Sequence, residues 1–338
     1  MKRTFYLLLF LGLCFNVAIA QQKPQYTQYV FNNILLNPAV TGIENYVDLK
    51  LGYRSQWTGL QGAPVTSYIT VSAPIGQDFI QGDATSFSGL AGSPYSRSFV
   101  QDYRAAEPHH GIGFTLVTDQ AGPITTTNLD INYAYHIGLT ERLNLSLGVA
   151  GGFARTNLNT SLITLETALD PAISNGVNAQ WSPDVNAGVW LYGANFFVGV
   201  SAQQILPQNL YFTTSRSTID ASKTVPHYFA TAGARFFLSD DLSLVPSLLV
   251  KEIQPVPLTY DVNLKMMFQD KFWIGGSYRH ADSFGALVGF NLSSFINVGY
   301  SYDITTSSLN TVSNGTHEIV IGLLLNNRAK VTCPQHGL

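Results

Sequence analysis

The sequence predicts an all-β protein, a transmembrane outer-membrane β-barrel of about 14 antiparallel strands preceded by a short N-terminal periplasmic segment. Apolar and polar residues alternate with a period of two in one short segment after another, as in β-strands that have one apolar face. Charged residues make up only 12% of the 338 residues, whereas 46% are hydrophobic. This charge content is about half that of an ordinary soluble domain and is compatible with contact to lipid.

The amino terminus has the pattern of a secretory signal peptide. Lys2 and Arg3 form a basic start before a short apolar run and a small-residue cleavage site. We therefore predict a signal peptide over residues 1–20 and a mature chain that begins near Gln21. A lipoprotein alternative would use Cys14, but the leucine before it is too large for that motif. No later apolar run reaches the roughly 18 residues that a membrane-spanning helix needs.

The mature chain opens with residues 21–45, which are irregular and rich in asparagine. Tyr26, Tyr29 and Ile34 recur at helix-like spacing, which predicts a short helical turn. We expect this part to form an N-terminal periplasmic or plug segment that lies beneath the barrel or inside it.

Strand-like alternation then fills residues 46–325, the predicted barrel. In the first strand Leu49 and Leu51 lie on one face, and Lys50 lies on the other. The predicted strands cover residues 46–54, 65–73, 111–119, 126–137, 143–153, 184–192, 195–202, 227–237, 243–251, 259–268, 272–279, 284–290, 295–303 and 318–325.

The orientation of the two faces decides between a soluble and a membrane barrel. A membrane barrel turns its apolar face to lipid and keeps charged and amide side chains in a wet lumen. The polar face of the predicted strands carries many glycines and serines together with charged residues. We predict ten lumen-facing polar residues: Asp48, Lys50, Arg54, Asp130, Asn132, Asp261, Lys265, Arg279, Asp303 and Glu318.

The connections fall into two groups when the amino terminus is placed in the periplasm. The turns after strands four, six, eight, ten and twelve are then periplasmic and short, while the loops at 157–181, 204–224 and 304–316 are external and longer, as such barrels require. The long insertion at 74–108 breaks this pattern, because it would be periplasmic. Residues 326–338 are predicted to be a periplasmic tail.

The sequence offers little chemistry. Residues 199–203 approach a nucleophile elbow but lack its second glycine. His109 and His110 have no further ligand at suitable spacing, so we predict an exposed loop pair and no metal site. Cys333 is the only cysteine after the signal peptide, which excludes an internal disulfide. The formal charge of -3 provides no basic surface for nucleic acid. We predict a protein without catalytic residues or cofactors.

Several short motifs, spread over most of the chain, resemble the PorP/SprF family of type IX secretion system membrane proteins from Bacteroidetes. None of the motifs is diagnostic alone, but they appear in the family's order. The segments that carry the resemblance are 28–42 with its Asn-Pro-Ala, 53–57 (Tyr-Arg-Ser-Gln-Trp), 62–64 (Gly-Ala-Pro), 246–247, 278–279, 300–303 (Tyr-Ser-Tyr-Asp), 317–319 and 333–334.

The resemblance implies a non-enzymatic outer-membrane barrel that binds or anchors a secreted adhesin through its C-terminal export domain, in some bacteria for gliding motility. It also implies contact with other type IX secretion components, including the periplasmic motor ring, and with outer-membrane lipid. The 74–108 insertion is longer than the family pattern, and the tail lacks a terminal aromatic residue. An alternative function is an outer-membrane channel for small or hydrophobic solutes, and a more distant one is a soluble lipid-binding sandwich.

Overall fold

The computed structural model describes residues 23–76, 103–163, 179–210, 222–239, 241–269 and 271–327. The predicted signal peptide at 1–20 and Cys333 lie outside these residues. So do most of the 74–108 insertion and nearly all of the 326–338 tail.

Long antiparallel strands make up almost all of the described chain. The strands, numbered in chain order, are β1 (Val47–Ser55), β2 (Val65–Ile75), β3 (His109–Ala121), β4 (Ile124–Thr140), β5 (Leu143–Leu158), β6 (Ala179–Tyr192), β7 (Phe196–Gln203), β8 (Asn209–Leu210), β9 (Ser222–Lys223), β10 (His227–Ala234), β11 (Phe236–Phe237), β12 (Leu242–Ile253), β13 (Val256–Phe268), β14 (Phe272–Arg279), β15 (Ser283–Asn291), β16 (Ile296–Thr305) and β17 (Thr316–Leu325).

The strands close into a barrel. Each long strand pairs with its neighbours in the sequence, and β1 also pairs with β17. The strand β10 pairs with both β7 and β12, and β11 continues the same strand after an interruption at Arg235. The ring therefore has 14 antiparallel strands when β10 and β11 count as one. Closure gives every wall strand a partner on both sides, as a bilayer demands. The predicted barrel is confirmed.

The wall shows the predicted alternation of side chains. In β4, Asn128, Asp130 and Asn132 are buried, whereas Leu129 and Ile131 between them are exposed on the outer surface. This pattern reverses that of a soluble barrel, because the apolar residues face outward and the polar ones face the interior.

Several strands are longer than the sequence predicted. β5 continues to Leu158 and β6 begins at Ala179, so the predicted loop at 157–181 is shorter at both ends. In the added part of β5 the exposed residue is Arg155 and a buried one is Ala154, so the apolar-out alternation gave no signal there. Inside the predicted loop at 204–224, β8 and β9 form a small two-stranded hairpin.

The two ends of the barrel differ in their connections. We call one end the loop rim; its described residues are 56–64, 122–123, 159–163, 204–210, 222–226, 254–255, 280–282 and 306–315. The opposite end is the turn rim; its described residues are 76, 103–108, 141–142, 193–195, 238–239, 241, 269, 271 and 292–295. β1 begins and β17 ends at the turn rim. Apart from residues 76–108, the turn rim has only short connections, as the periplasmic end of such barrels does.

Residues 23–45, which we call the plug, lie inside the barrel. They contain three short 3-10 helices, Gln28–Val30, Asn33–Leu35 and Pro38–Val40, where the sequence predicted one helical turn. Asn37 caps the third helix, because its Oδ1 accepts a hydrogen bond from the backbone N–H of Ala39 at 2.9 Å. Most plug side chains are buried.

The plug packs against the wall through apolar side chains and glycines. Plug residues such as Phe31 and Leu36 share one buried cluster with wall residues such as Trp273. A Cβ atom on Gly148 would lie 2.2 Å from the backbone nitrogen of Ala39, and the wall therefore needs glycine at this close approach. The core of the molecule is thus the interior of the barrel.

Candidate functional site: the plugged lumen and the loop rim

Arg54 forms the centre of a buried ionic cluster near the loop rim. Its Nη2 donates to Asp303 Oδ2 at 3.0 Å, and its Nη1 donates to Glu318 Oε2 at 2.9 Å. The same Nη1 lies 2.9 Å from the hydroxyl of Thr27, a plug residue. Because removing one member would leave a buried charge without its partner, this cluster strongly favours the assembled arrangement.

Glu318 also binds the plug backbone directly. Its Oε2 accepts from the N–H groups of Thr27 at 2.7 Å and Gln28 at 3.2 Å, and its Oε1 accepts from the hydroxyl of Tyr68 at 3.0 Å. A fully buried carboxylate thereby satisfies two N–H groups at the start of the first plug helix. These bonds fix the plug to β17, and the Tyr68 bond joins Glu318 to β2.

A second ionic cluster holds the plug on β13 and β14. Arg279 donates from Nε to Asp261 Oδ2 at 3.1 Å, and from Nη1 to Asp282 Oδ2 at 3.2 Å. Its Nη2 donates to the backbone oxygen of Tyr26 at 3.1 Å. Asn263 adds a hydrogen bond to the hydroxyl of Tyr29.

A third charged group lies where the plug joins β1. Lys50 forms an ion pair with Asp48, and its Nζ lies 5.5 Å from the centroid of the Phe31 ring. Burial, and after it the charge of Asp48, raise the pKa of Glu44 to about 8. Glu44 therefore binds a proton at neutral pH more readily than an exposed glutamate does.

The remaining predicted lumen residues contribute separate contacts. Asn132 Nδ2 donates to Thr115 Oγ1 at 2.8 Å, and Asp130 faces a cavity beside plug residue Leu36. Lys265 lies with its Nζ 5.5 Å from the centroid of the Trp273 ring, a cation–π distance. All ten predicted lumen residues have buried side chains, but they belong to several clusters.

Two histidines hold the plug near the turn rim. His136 Nε2 donates to the backbone oxygen of Thr41 at 2.8 Å, and its Nδ1 accepts from the hydroxyl of Tyr192 at 3.0 Å. His109 stacks on His136 and contacts the oxygen of Gly42 through Nε2 at 3.1 Å. The predicted exposed loop pair is therefore wrong for His109, because strand β3 begins at this residue and turns it inward. His110 faces outward.

Sequence reasoning missed several further plug contacts made by neutral side chains. Ser146 and Ser201 each donate to plug carbonyl oxygens, at 2.7 Å and 2.6 Å, and Gln203 donates to the oxygens of Leu35 and Leu36. The sequence does show that these residues lie on the inward face of their strands. It does not show that their partners are backbone oxygens of the plug.

The loop rim is braced by bonds between neighbouring loops. The N–H of Thr58 donates to the oxygen of Gly315 at 2.8 Å, and the N–H of Asn314 donates to the oxygen of Thr58 at 2.7 Å. Farther round the rim, the N–H of Asn159 donates to the oxygen of Pro123 at 2.8 Å. Residues 56–64 and 306–315 contain no charged side chain. The rim thus offers a shaped, uncharged surface in this region.

No arrangement for catalysis is evident in the described part of the chain. Within it, no group of three or more His, Cys, Asp or Glu side chains is placed to hold a metal ion. Ser201, in the motif that approaches a nucleophile elbow, instead donates to the plug oxygen of Leu36. No described helix is long and apolar enough to cross a membrane.

Closed antiparallel strands, an apolar outer wall and a polar interior define an outer-membrane β-barrel, and the protein resides in the outer membrane. A sequence profile described as "Type IX secretion system membrane protein PorP/SprF" matches residues 18–323. The chain belongs to this PorP/SprF family, as its motifs predicted. No curated protein is significantly similar in sequence.

Solved outer-membrane barrels are similar to this chain in structure. The monoaromatic hydrocarbon channel CymD has 12% identity and a TM-score of 0.47, with 88% of this chain and 91% of that chain covered. Omp33 of Acinetobacter baumannii has 8% identity and a TM-score of 0.46, covering 84% and 100% of the two chains. The Pseudomonas putida toluene transporter TodX has 8% identity and a TM-score of 0.47, covering 91% and 95%.

Proposed function

We propose that this barrel is a non-enzymatic anchor of the type IX secretion system, which binds the C-terminal export domain of a secreted surface adhesin and supports its export. The observation that carries the proposal is the plug. Ionic clusters on β1, β16 and β17 and on β13 and β14 tie it to the barrel, so the lumen is filled and the wall is stiffened. Family membership supports the secretion role, and the proposal extends to export that serves gliding motility.

The loop rim is the binding surface in this proposal. The loops at 157–181, 204–224 and 304–316 belong to one end of the barrel, and the third is bonded to residues 56–64. A rigid ring that holds shaped loops loses little conformational entropy when a folded domain binds. Because residues 56–64 and 306–315 are uncharged, we expect recognition there through hydrogen bonds and apolar contacts, with little dependence on salt.

Loop replacement tests the anchor. Residues 306–315, and in separate variants residues 164–178 and 211–221, are replaced by short glycine-serine linkers, and retention of the adhesin on the cell surface is measured. Replacing residues 292–295 at the turn rim provides the matched control. We expect at least one loop variant to release the adhesin while its barrel still shows heat-modifiable gel migration. Full retention in all three loop variants would exclude this mechanism.

The turn rim is the proposed contact for the rest of the secretion machinery, including the periplasmic motor ring. The predicted insertion at 74–108 starts within the last two residues of β2 and is the long connection at that end. Removal of residues 80–100 is expected to reduce export without changing barrel assembly. Normal export by this variant would place the contact elsewhere.

A channel for small or hydrophobic solutes is the second candidate, favoured by a cavity beside the plug that Phe229 and Leu249 line. Planar-bilayer conductance of the purified barrel separates the two functions. The anchor predicts almost no conductance in the intact protein and a large increase when residues 23–40 are deleted, because a barrel of 14 strands otherwise leaves an open lumen. Steady conductance or solute uptake by the intact protein would favour the channel.

A further inference from the structure

A small cavity inside the barrel separates the plug from β4 and the strands beside it. Plug residues such as Lys23 and Leu36 line one side, and wall residues such as Asn128 and Asp130 line the other. The space open to water is about 40 Å³, and a buried water needs roughly 10–15 Å³ of such space. The cavity therefore has room for a small ion with a few waters.

Two carboxylates on the inner wall lie in one row across three strands. Asp130 of β4 pairs with Gly152 of β5, and Gly152 pairs with Asp184 of β6. A Cβ atom on Gly152 would lie 2.5 Å from Asp130 Oδ1, so the carboxylate of Asp130 leans over the glycine. Because glycine has no side chain, Asp130 and Asp184 lie on either side of one gap.

These two carboxylates share one cation. Lys23 Nζ forms an ion pair with Asp184 Oδ2 at 3.1 Å, and among the described residues the charges that act on Asp130 are those of Lys23 and Asp184. His227 adds no charge, because its Nε2 accepts a hydrogen bond from the backbone N–H of Lys23. The second ionic cluster nearby is balanced once the adjacent lysine of β12 is included, with two cations and two carboxylates. One positive and two negative charges therefore leave a net charge of -1 beside the cavity.

Three buried oxygen atoms around the gap accept no hydrogen bond from the described residues. They are Asn128 Oδ1, Asp130 Oδ1 and Asp184 Oδ1. Asn128 and Asp130 are successive inward residues of β4, each 5% exposed, and both line the cavity. A buried acceptor without a donor is costly. Water can supply donors to these oxygens, but it cannot neutralise the surplus negative charge.

We propose that this cavity binds one sodium ion through the side-chain oxygens of Asn128, Asp130 and Asp184 and through waters. Carboxylate and amide oxygens are the ligands that hard cations prefer. A single positive charge brings the group to neutrality, whereas a divalent cation would leave a surplus positive charge next to the ammonium group of Lys23. The site uses two carboxylates and an amide, so it differs from the groups of three His, Cys, Asp or Glu that the described chain lacks. It is independent of adhesin binding.

Thermal stability of the purified full-length barrel tests the site. The midpoint of heat-modifiable gel migration is measured at pH 8 in sodium chloride and in choline chloride of equal ionic strength, so that screening is the same. Choline is too large to enter the cavity. We expect the midpoint to rise with sodium concentration and then to level off, by about 3 °C at ten times the half-saturating concentration, as for one ion that binds the folded state.

Asp130→Asn should remove the dependence on sodium, because it removes both a ligand and the surplus charge. Asp241→Asn is the matched control: it makes the same substitution at an exposed carboxylate of the turn rim and should respond to sodium as the wild type does. Asn128→Asp keeps the test decisive if Asp130→Asn fails to assemble. This variant adds a carboxylate to the cavity and should lower the half-saturating sodium concentration several-fold.

Equal midpoints of the wild type in sodium and choline salts would overturn the proposal and assign the cavity to water and a protonated Asp130. An unchanged sodium response in assembled Asp130→Asn would overturn it as well. Stabilisation by calcium chloride without any by sodium chloride would contradict a monovalent ion. None of these results depends on whether loop replacement releases the adhesin.

Discussion

At the scale of single residues, the lumen is organised by buried charges that bind plug backbone. Arg54 is 1% exposed and bridges two carboxylates from different strands. Such a cluster adds little to stability when compared with an apolar replacement of the whole group, but it is costly to break from one side. Its main effect is to give one position of the plug a much lower free energy than other positions.

Replacing Arg54 by methionine should therefore be strongly destabilising. The change leaves Glu318 and Asp303 buried without their cation, at a cost of about 3–5 kcal/mol. We expect a clear drop in the temperature at which the folded band disappears in heat-modifiable gel migration. Arg155→Met is the control, because Arg155 is exposed and lies over the Trp181 ring. Equal melting of the two variants would show that the cluster does not hold the barrel together.

Glu44 predicts a pH dependence of known sign. Its pKa is raised by burial from 4.5 to about 8, so the folded state holds a proton that the unfolded state has lost. The associated stability is complete below about pH 4.5 and is lost as the pH rises through about 8. Glu44→Gln should remove this loss. We expect the variant to be more stable than wild type at pH 9 and nearly equal at pH 4.5; a constant difference would contradict this account.

At the scale of elements, the alternation of apolar and polar residues could be predicted from sequence, but the lengths of the strands could not. The apolar rows face outward as predicted, as in β4 with Leu129 and Ile131. Beyond the hydrocarbon layer both faces of a strand meet water. The first four residues of β4, at 124–127, therefore show no alternation of buried and exposed side chains. The plug contacts were also hidden, because the side chains that hold it come from residues far apart in the chain and meet only after closure.

The plug and the wall should depend on glycine at specific positions. Gly148→Val would place a side chain on the backbone of Ala39, which lies 2.2 Å from the position of a Cβ atom. We expect lower thermal stability and faster proteolysis of the plug. Gly151→Val in the same strand is the matched control, because nothing lies within 4 Å of its Cβ position. Similar proteolysis of both variants would argue against close packing of the plug.

At the scale of the whole molecule, the closed wall, the fixed plug and the two different rims each have a separate role. The wall satisfies its backbone groups in lipid, the plug fills the lumen, and the longer loops other than 76–108 lie at one end. The class of barrel and the family followed from sequence because alternation and short motifs are local signals. The filled lumen could not be predicted from sequence, because the plug is held by wall residues that are far from it in the chain.

Photo-crosslinking in cells tests the central claim most directly. A photoreactive residue replaces Val312 on the loop rim, which is 54% exposed, or Leu292 on the turn rim, which is 64% exposed. The account predicts that the Val312 position captures a large secreted protein and that the Leu292 position does not. Capture of that protein at Leu292 alone, or at neither position while the protein remains on the cell surface, would contradict an anchor built on the loop rim.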